Sequence, residues 1–210
     1  MAIELWLAFV AASTALLLIP GPTVLLVLSY AISKGRSVAV ASAAGVALGD
    51  LIAMTASLLG LGALVLASAT AFTILKWVGA VYLVWLGVKL LRSAPSEGLG
   101  EITHNRDVTA VSVFRHAAMV TALNPKSIAF FIAFVPQFVD PSATLLPQFT
   151  ILIATFVGLA ALNAFAYALL ADKLRATIGR PSVITWLTRA GGGALIAMGL
   201  ATAALRRGTA

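Results

Sequence analysis

Six long apolar stretches, separated mostly by short polar connectors, organise the chain. They run over about Ile3 to Ser33, Val38 to Leu66, Thr70 to Leu91, Ala117 to Val139, Leu145 to Leu170 and Val183 to Leu205. A spanning helix needs about 20 largely apolar residues, and each stretch reaches that length. The runs do not alternate with period two, so they are not barrel strands. A helix closes its own backbone hydrogen bonds inside hydrocarbon. The pattern predicts an all-α integral membrane protein with six transmembrane helices. Two stretches carry internal breakers: Pro20-Gly21-Pro22 in the first and Asn124-Pro125-Lys126 in the fourth. Proline removes a donor and clashes with the preceding turn, so helices 1 and 4 are expected to be broken.

One connector is long. Arg92 to Arg115 holds Ser93, Pro95, Ser96, Glu97, Gly98, Gly100, Glu101, Asn105 and Asp107 and reads as an exposed loop. It divides one membrane domain into residues 1–92 and 116–210, three spans each, joined by 93–115. Halves with an odd number of spans insert in opposite directions, so the expected architecture is a 3+3 inverted-topology repeat. Lys34, Arg36, Lys89, Arg92, Arg106, Arg115, Lys173, Arg175 and Arg180 fall on one side. Lys76, Arg206 and Arg207 fall on the other, with Glu4 and Asp140. The richer side is expected to be cytoplasmic, which puts loop 93–115 inside and both termini outside, in the periplasm. Arg206 and Arg207 run against that rule.

Composition narrows the class. The chain is 61% hydrophobic and 10% charged, with a mean hydropathy of +1.05. A water-soluble fold would lack polar residues to cover its surface; lipid solvates the excess. The net charge of +7 sets topology rather than gripping nucleic acid, because no basic run is interleaved with stacking aromatics. Cysteine is absent, which excludes disulfides and thiolate metal sites. Met1-Ala2-Ile3-Glu4 lacks the basic region of a signal peptide, so the first stretch is expected to stay as a span.

Polar residues converge at one depth. At 1.5 Å per residue, the two breaks, Asp50, Tyr82 and Asn163 all lie roughly 12–20 Å from the cytoplasmic boundary, near the midplane of a core about 30 Å thick. A break is costly in lipid unless it lines a wet or protein-walled cavity. Half-helix ends in such a cavity attract charge: an N-terminus draws a carboxylate, a C-terminus a cation. A zwitterionic amino acid carries both, although other small polar molecules also fit. Pro20, Gly21, Pro22, Asn124, Pro125 and Lys126 are the candidate substrate site, with Tyr82 and Asn163 as further candidates that could equally serve helix–helix hydrogen bonds. A carboxylate at mid-depth is costly and usually functional, which makes Asp50 the candidate proton carrier. The alternative is a helix beginning at Leu51 with Asp50 as its N-cap. Lys126 could pair with Asp50, contact a substrate carboxylate, or simply snorkel.

Other features are structural. Gly45-xxx-Gly49, Gly60-x-Gly62 and Gly191-Gly192-Gly193 suit close helix packing and permit a homodimer. Trp6, Trp77, Trp85 and Trp186 fall mainly near span ends, as interface anchors. His104 and His116 are isolated and show no metal-ligand spacing. No Ser or Thr has a His partner at depth, so nucleophilic catalysis has no support. No metal or cofactor is called for.

Pro20-Gly21-Pro22, Gly35-Arg36, Gly45-x-x-x-Gly49-Asp50, and Asn124-Pro125-Lys126 with Phe130-Phe131 and Pro136-Gln137-Phe138 resemble the LysE/RhtB amino-acid exporters. Lys76-Trp77-x-Gly79-x-x-Tyr82-Leu83-x-x-Leu86-Gly87 is similar to that family's third span. Each motif alone is weak; the ordered set, from about Ile3 to Arg207, is specific. Spans five and six match no tight motif. The resemblance implies a bacterial inner-membrane efflux protein, driven by the proton gradient, that exports lysine, arginine, threonine, homoserine, leucine or close derivatives. The inverted repeat itself leads to the expectation of alternating access, with Asp50 taking up and releasing the proton as the site changes face. The competing classes are a passive channel and an exporter of another small solute or a cation. With Asp50 as the sole mid-depth acid, too few oxygen ligands exist for tight divalent binding, and a neutral amino acid is favoured over lysine.

Overall fold

The first helix, α1 (Ile3–Leu18), ends because Ile19 precedes a proline. That position is pushed out of the helical region, and Ile19 is extended at φ −70° and ψ 116°. The next helix, α2 (Pro22–Lys34), starts with proline at its first position, where no donor is needed. The two axes meet at 57°. The same grammar recurs later. α5 (Ala110–Ala122) gives way to α6 (Pro125–Ala133) through extended Asn124, which again precedes proline. A 3-10 turn, Val135–Phe138, extends α6, and the bend from α5 is 44°. Between these lie α3 (Arg36–Ala67) and α4 (Ala69–Arg92), and after them α7 (Leu145–Ile178) and α8 (Pro181–Ala204). This computed structural model describes residues 2–19, 21–34, 36–92, 109–140, 143–178 and 181–204, and among them there is no strand.

Three of these helices, over Val38–Leu64, Thr73–Arg92 and Leu145–Ala171, are long and apolar enough to cross a membrane; counting each bent pair as one span makes five. The sixth candidate, α8, is a 24-residue helix but is not among those five. Helix α5 starts earlier than the hydrophobic pattern suggests. Thr109 caps it, its hydroxyl accepting the Ser112 N–H at 3.2 Å, and Arg115 and His116 sit exposed on its first turns rather than in the loop. An amphipathic first turn and a side-chain cap extend the helix beyond its apolar run.

Small residues set the packing. α3 lies along α5, and a Cβ at Gly49 would stand 2.5 Å from the Ala118 carbonyl oxygen and 2.6 Å from Thr121 Cβ. α4 lies along α8, where Gly87 and Gly192 meet: a Cβ on either would fall 2.5–2.6 Å from the other's carbonyl oxygen. Only a bare backbone allows such approach. Gly60 and Gly193 have nothing within 4 Å, so those two positions are not packing contacts. One buried cluster holds seven phenylalanines, Phe9, Phe130, Phe131, Phe134, Phe138, Phe149 and Phe156, and among all but Phe149 neighbouring rings stand 4.8–6.5 Å apart. A second cluster of Val24, Val27, Leu28, Val46 and alanines of α3, α5 and α7 fills the opposite half. Large apolar side chains such as Ile52, Leu59, Val81, Leu162 and Trp186 face outward, a surface suited to lipid.

Candidate functional site

Between the two clusters lies a chamber lined by Leu16, Leu17, Gly21, Thr23, Val24, Val27, Val46, Asp50, Asn124, Lys126, Ser127, Ala160, Asn163, Ala164 and Tyr167. Both broken helices reach it, with α3 and α7 as the remaining walls. Its volume is about 30 Å³, room for about two waters, so anything larger requires the walls to part.

The α6 side is built on Asn124. Its side-chain oxygen accepts the Lys126 N–H at 3.0 Å, and its amide donates to Thr23 Oγ1 at 3.2 Å. Thr121 Oγ1 also donates to Thr23 Oγ1, at 3.4 Å. One threonine at the start of α2 thus ties together the starts of two half-helices. Each start is the positive end of a helix dipole.

The α1 side is opposite in polarity. Past the Leu16 oxygen, which also takes the Ile19 N–H at 3.3 Å, its last carbonyls are those a helix end leaves without a backbone donor, and side chains from other helices approach all four, residues 16–19. Lys126 Nζ donates to the Leu16 and Ile19 carbonyl oxygens at 3.1 and 3.0 Å. Asn163 Nδ2 donates to the Leu17 oxygen at 3.1 Å and Tyr167 Oη to the Leu18 oxygen at 3.4 Å. An ammonium belongs at the negative end of a helix, and hydrogen bonds to a charged donor are worth about 1.5–3 kcal/mol each.

Asp50 sits inside the unbroken helix α3, so it is not the N-cap of a helix beginning at Leu51. It is 2% exposed, and its Oδ1 has no hydrogen-bond partner. Leaving a buried polar atom unpaired costs about 1–3 kcal/mol, which calls for an explanation in a functional group.

Of the residues singled out in the sequence, Gly21, Asp50, Asn124, Lys126 and Asn163 meet at this chamber. Pro20 lies outside the described residues, and Pro22 is described only as the first residue of α2. Two candidates lie elsewhere. Tyr82 and Pro125 line a separate lateral groove of about 360 Å³ between α4 and α6, with Leu75, Val78 and Gly79. Helix α4 packs on α6 and α8, which turns the Tyr82 face away from the chamber. Nor is His116 isolated: its Nδ1 lies 2.8 Å from Tyr30 Oη. The sequence reasoning passed over Thr23, Ser127 and Tyr167. Tyr167 follows Asn163 by four residues and shares its helix face, a spacing that could have found it. The α1 carbonyls carry no residue-type signal at all.

The described residues hold no group of three or more His, Asp or Glu able to bind a metal. The sequence matches the LysE type translocator family over residues 14–205. This chain belongs to the LysE type translocator family. That family is one of transporters, not of enzymes. Among similar proteins, a homoserine/homoserine lactone efflux protein of Salmonella typhimurium is 35% identical over 206 residues, covering 98% of this chain and 99% of the relative. A leucine efflux protein of Klebsiella pneumoniae is 29% identical over 138 residues, 66% of this chain and 65% of the relative. A Vibrio cholerae protein known only as a membrane protein is 34% identical over 201 residues, 95% of this chain and 97% of that one. No solved structure gives a significant match.

Proposed function

We propose that this LysE-family protein exports amino acids or close derivatives from the cytoplasm across the bacterial inner membrane, by proton antiport and alternating access. The observation that carries this is the chamber between the two bent helix pairs. It gathers the starts of α2 and α6, the Lys126 ammonium and the unpartnered oxygen of Asp50. Positive helix ends suit a substrate carboxylate, and an acidic side chain suits either an ammonium group or a proton. The efflux names of the homoserine and leucine relatives point the same way.

The architecture in this proposal is a six-span 3+3 inverted repeat. The halves are 1–92 and 116–210, and segment 93–115 is cytoplasmic, with periplasmic termini. Two packing relations support it: α7 lies against α2, and α3, its counterpart, lies against α6. Gly21, Asn124, Lys126 and Asn163 contact substrate, with Pro20, Pro22 and Pro125 setting the breaks and Asp50 carrying the proton. Tyr82 is left without a role at the chamber. The deciding experiment is efflux of a labelled amino-acid panel, homoserine and leucine included, from vesicles with and without a proton gradient. Gradient-dependent export of at least one amino acid is expected; none at all would overturn the proposal.

A further inference from the structure

The export reading uses the positive ends of α2 and α6 and the carboxyl of Asp50. It leaves unused the four consecutive carbonyl oxygens at the end of α1, residues 16–19, each approached by a side chain from another helix. Asn163 and Tyr167 are neutral donors. Lys126 is a primary ammonium, and it occupies two of the four oxygens.

We propose that the carbonyl oxygens of Leu16 and Ile19 are the subsite for the substrate's primary ammonium group, and that the Lys126 ammonium holds this subsite until a substrate displaces it. This rests on the export reading of the same chamber and names which atoms take which pole of the substrate.

Three independent observations lead there. The first is chemical identity. The Lys126 Nζ contacts, at 3.1 and 3.0 Å, are those an amino acid's own ammonium would make with a half-helix end, where the dipole favours a cation. The second is space. Lys126 Nζ and Cε lie 3.3 and 3.6 Å from where a Gly21 Cβ would stand, so the lysine fills the gap between α1 and α2 that a ligand would need. With it there, about 30 Å³ remains, far too little for an amino acid. The third is a destination. Asp50 lines the same chamber, is 2% exposed, and has an oxygen without a partner. An ammonium leaving the α1 carbonyls therefore has an acceptor within the chamber. The opposite pole of the substrate is served by the α2 and α6 starts, joined through Thr23 and Asn124.

A fixed structural cap would behave differently, because it would neither compete with an added amine nor care about N–H groups on the ligand. The probe is 3-methylbutylamine, the leucine skeleton without its carboxylate, and the readout is thermal stabilisation of the purified full-length protein. Lys126→Met removes the tethered competitor, so the amine concentration for half-maximal stabilisation is expected to fall roughly tenfold against wild type. In wild type alone, (3-methylbutyl)trimethylammonium has no N–H to donate and is expected to give no stabilisation at concentrations where the primary amine does. Equal concentration dependence in both proteins, no stabilisation of either by the amine, or binding of the quaternary ion as tightly as the amine would each overturn the subsite. The binding readout needs no transport. Failure of wild-type vesicles to export any amino acid therefore sinks the export reading, whereas these three outcomes sink the subsite.

Discussion

Asp50 and Gly49 are adjacent on α3 and face different demands. Gly49 lets α5 approach until backbone meets backbone, so a side chain there has nowhere to go. Gly49→Leu is expected to destabilise the protein by about 1–3 kcal/mol, through overpacking, and a lowered melting temperature in detergent would register it. Asp50 instead has an unpaired oxygen inside the chamber, a cost tolerated where a group works. Asp50→Asn keeps size and polarity but cannot lose a proton. The fold is expected to survive, and export is expected to lose its dependence on the proton gradient. Gradient-driven export at the normal rate by this variant would remove Asp50 from the coupling. Asp50 and the glycines were legible in the sequence because a lone mid-span acid and a Gly-xxx-Gly spacing each have few physical explanations. Thr23 and Tyr167 were not, because hydroxyls are common in membrane helices and only packing tells which of them meet.

At the scale of elements, each helix break combines a residue held extended by the proline after it with a proline at the first position of the next helix; these are Pro20 and Pro22 at the first break and the single Pro125 at the second. Ile19 and Asn124 are the extended residues. Asn124 does more than precede Pro125, since it caps α6 and reaches Thr23 on α2. Asn124→Ala is expected to cost about 1–2 kcal/mol of stability through loss of the cap and to reduce amino-acid export in vesicles. Export at the wild-type rate would show that the Thr23 link is dispensable. Pro125 can be tested beside it. Pro125→Ala restores a backbone donor, and impaired export is expected because the bend loses one of its two determinants. That a helix ends ahead of Pro20 and of Pro125 followed from the sequence. The partners of the freed carbonyls did not, since a carbonyl is common to every residue and its donors come from α6 and α7, more than a hundred residues away.

Across the whole molecule, the proposed orientation puts the long connector inside the cell and the chamber midway. The chain has no cysteine, which makes a single introduced thiol a clean reporter. Ser112 is exposed in the first turn of α5, and Ser112→Cys is expected to react with a membrane-impermeant maleimide in inverted vesicles but not in intact cells. Labelling in intact cells would reverse the orientation. The hydrophobic pattern by itself determined the helical class and the apolar stretches long enough to cross a membrane, and it marked where a helix ends ahead of a proline. These follow from hydrogen-bond closure in lipid and from proline geometry, both local in the chain. Tertiary structure alone decided which way each helix face turns. It moved Tyr82 to a lateral groove, brought Tyr167 and Thr23 to the chamber, and set Lys126 on the end of α1. Azimuth around a helix that is apolar nearly all round carries little sequence signal; it is fixed by which small residues let two backbones touch.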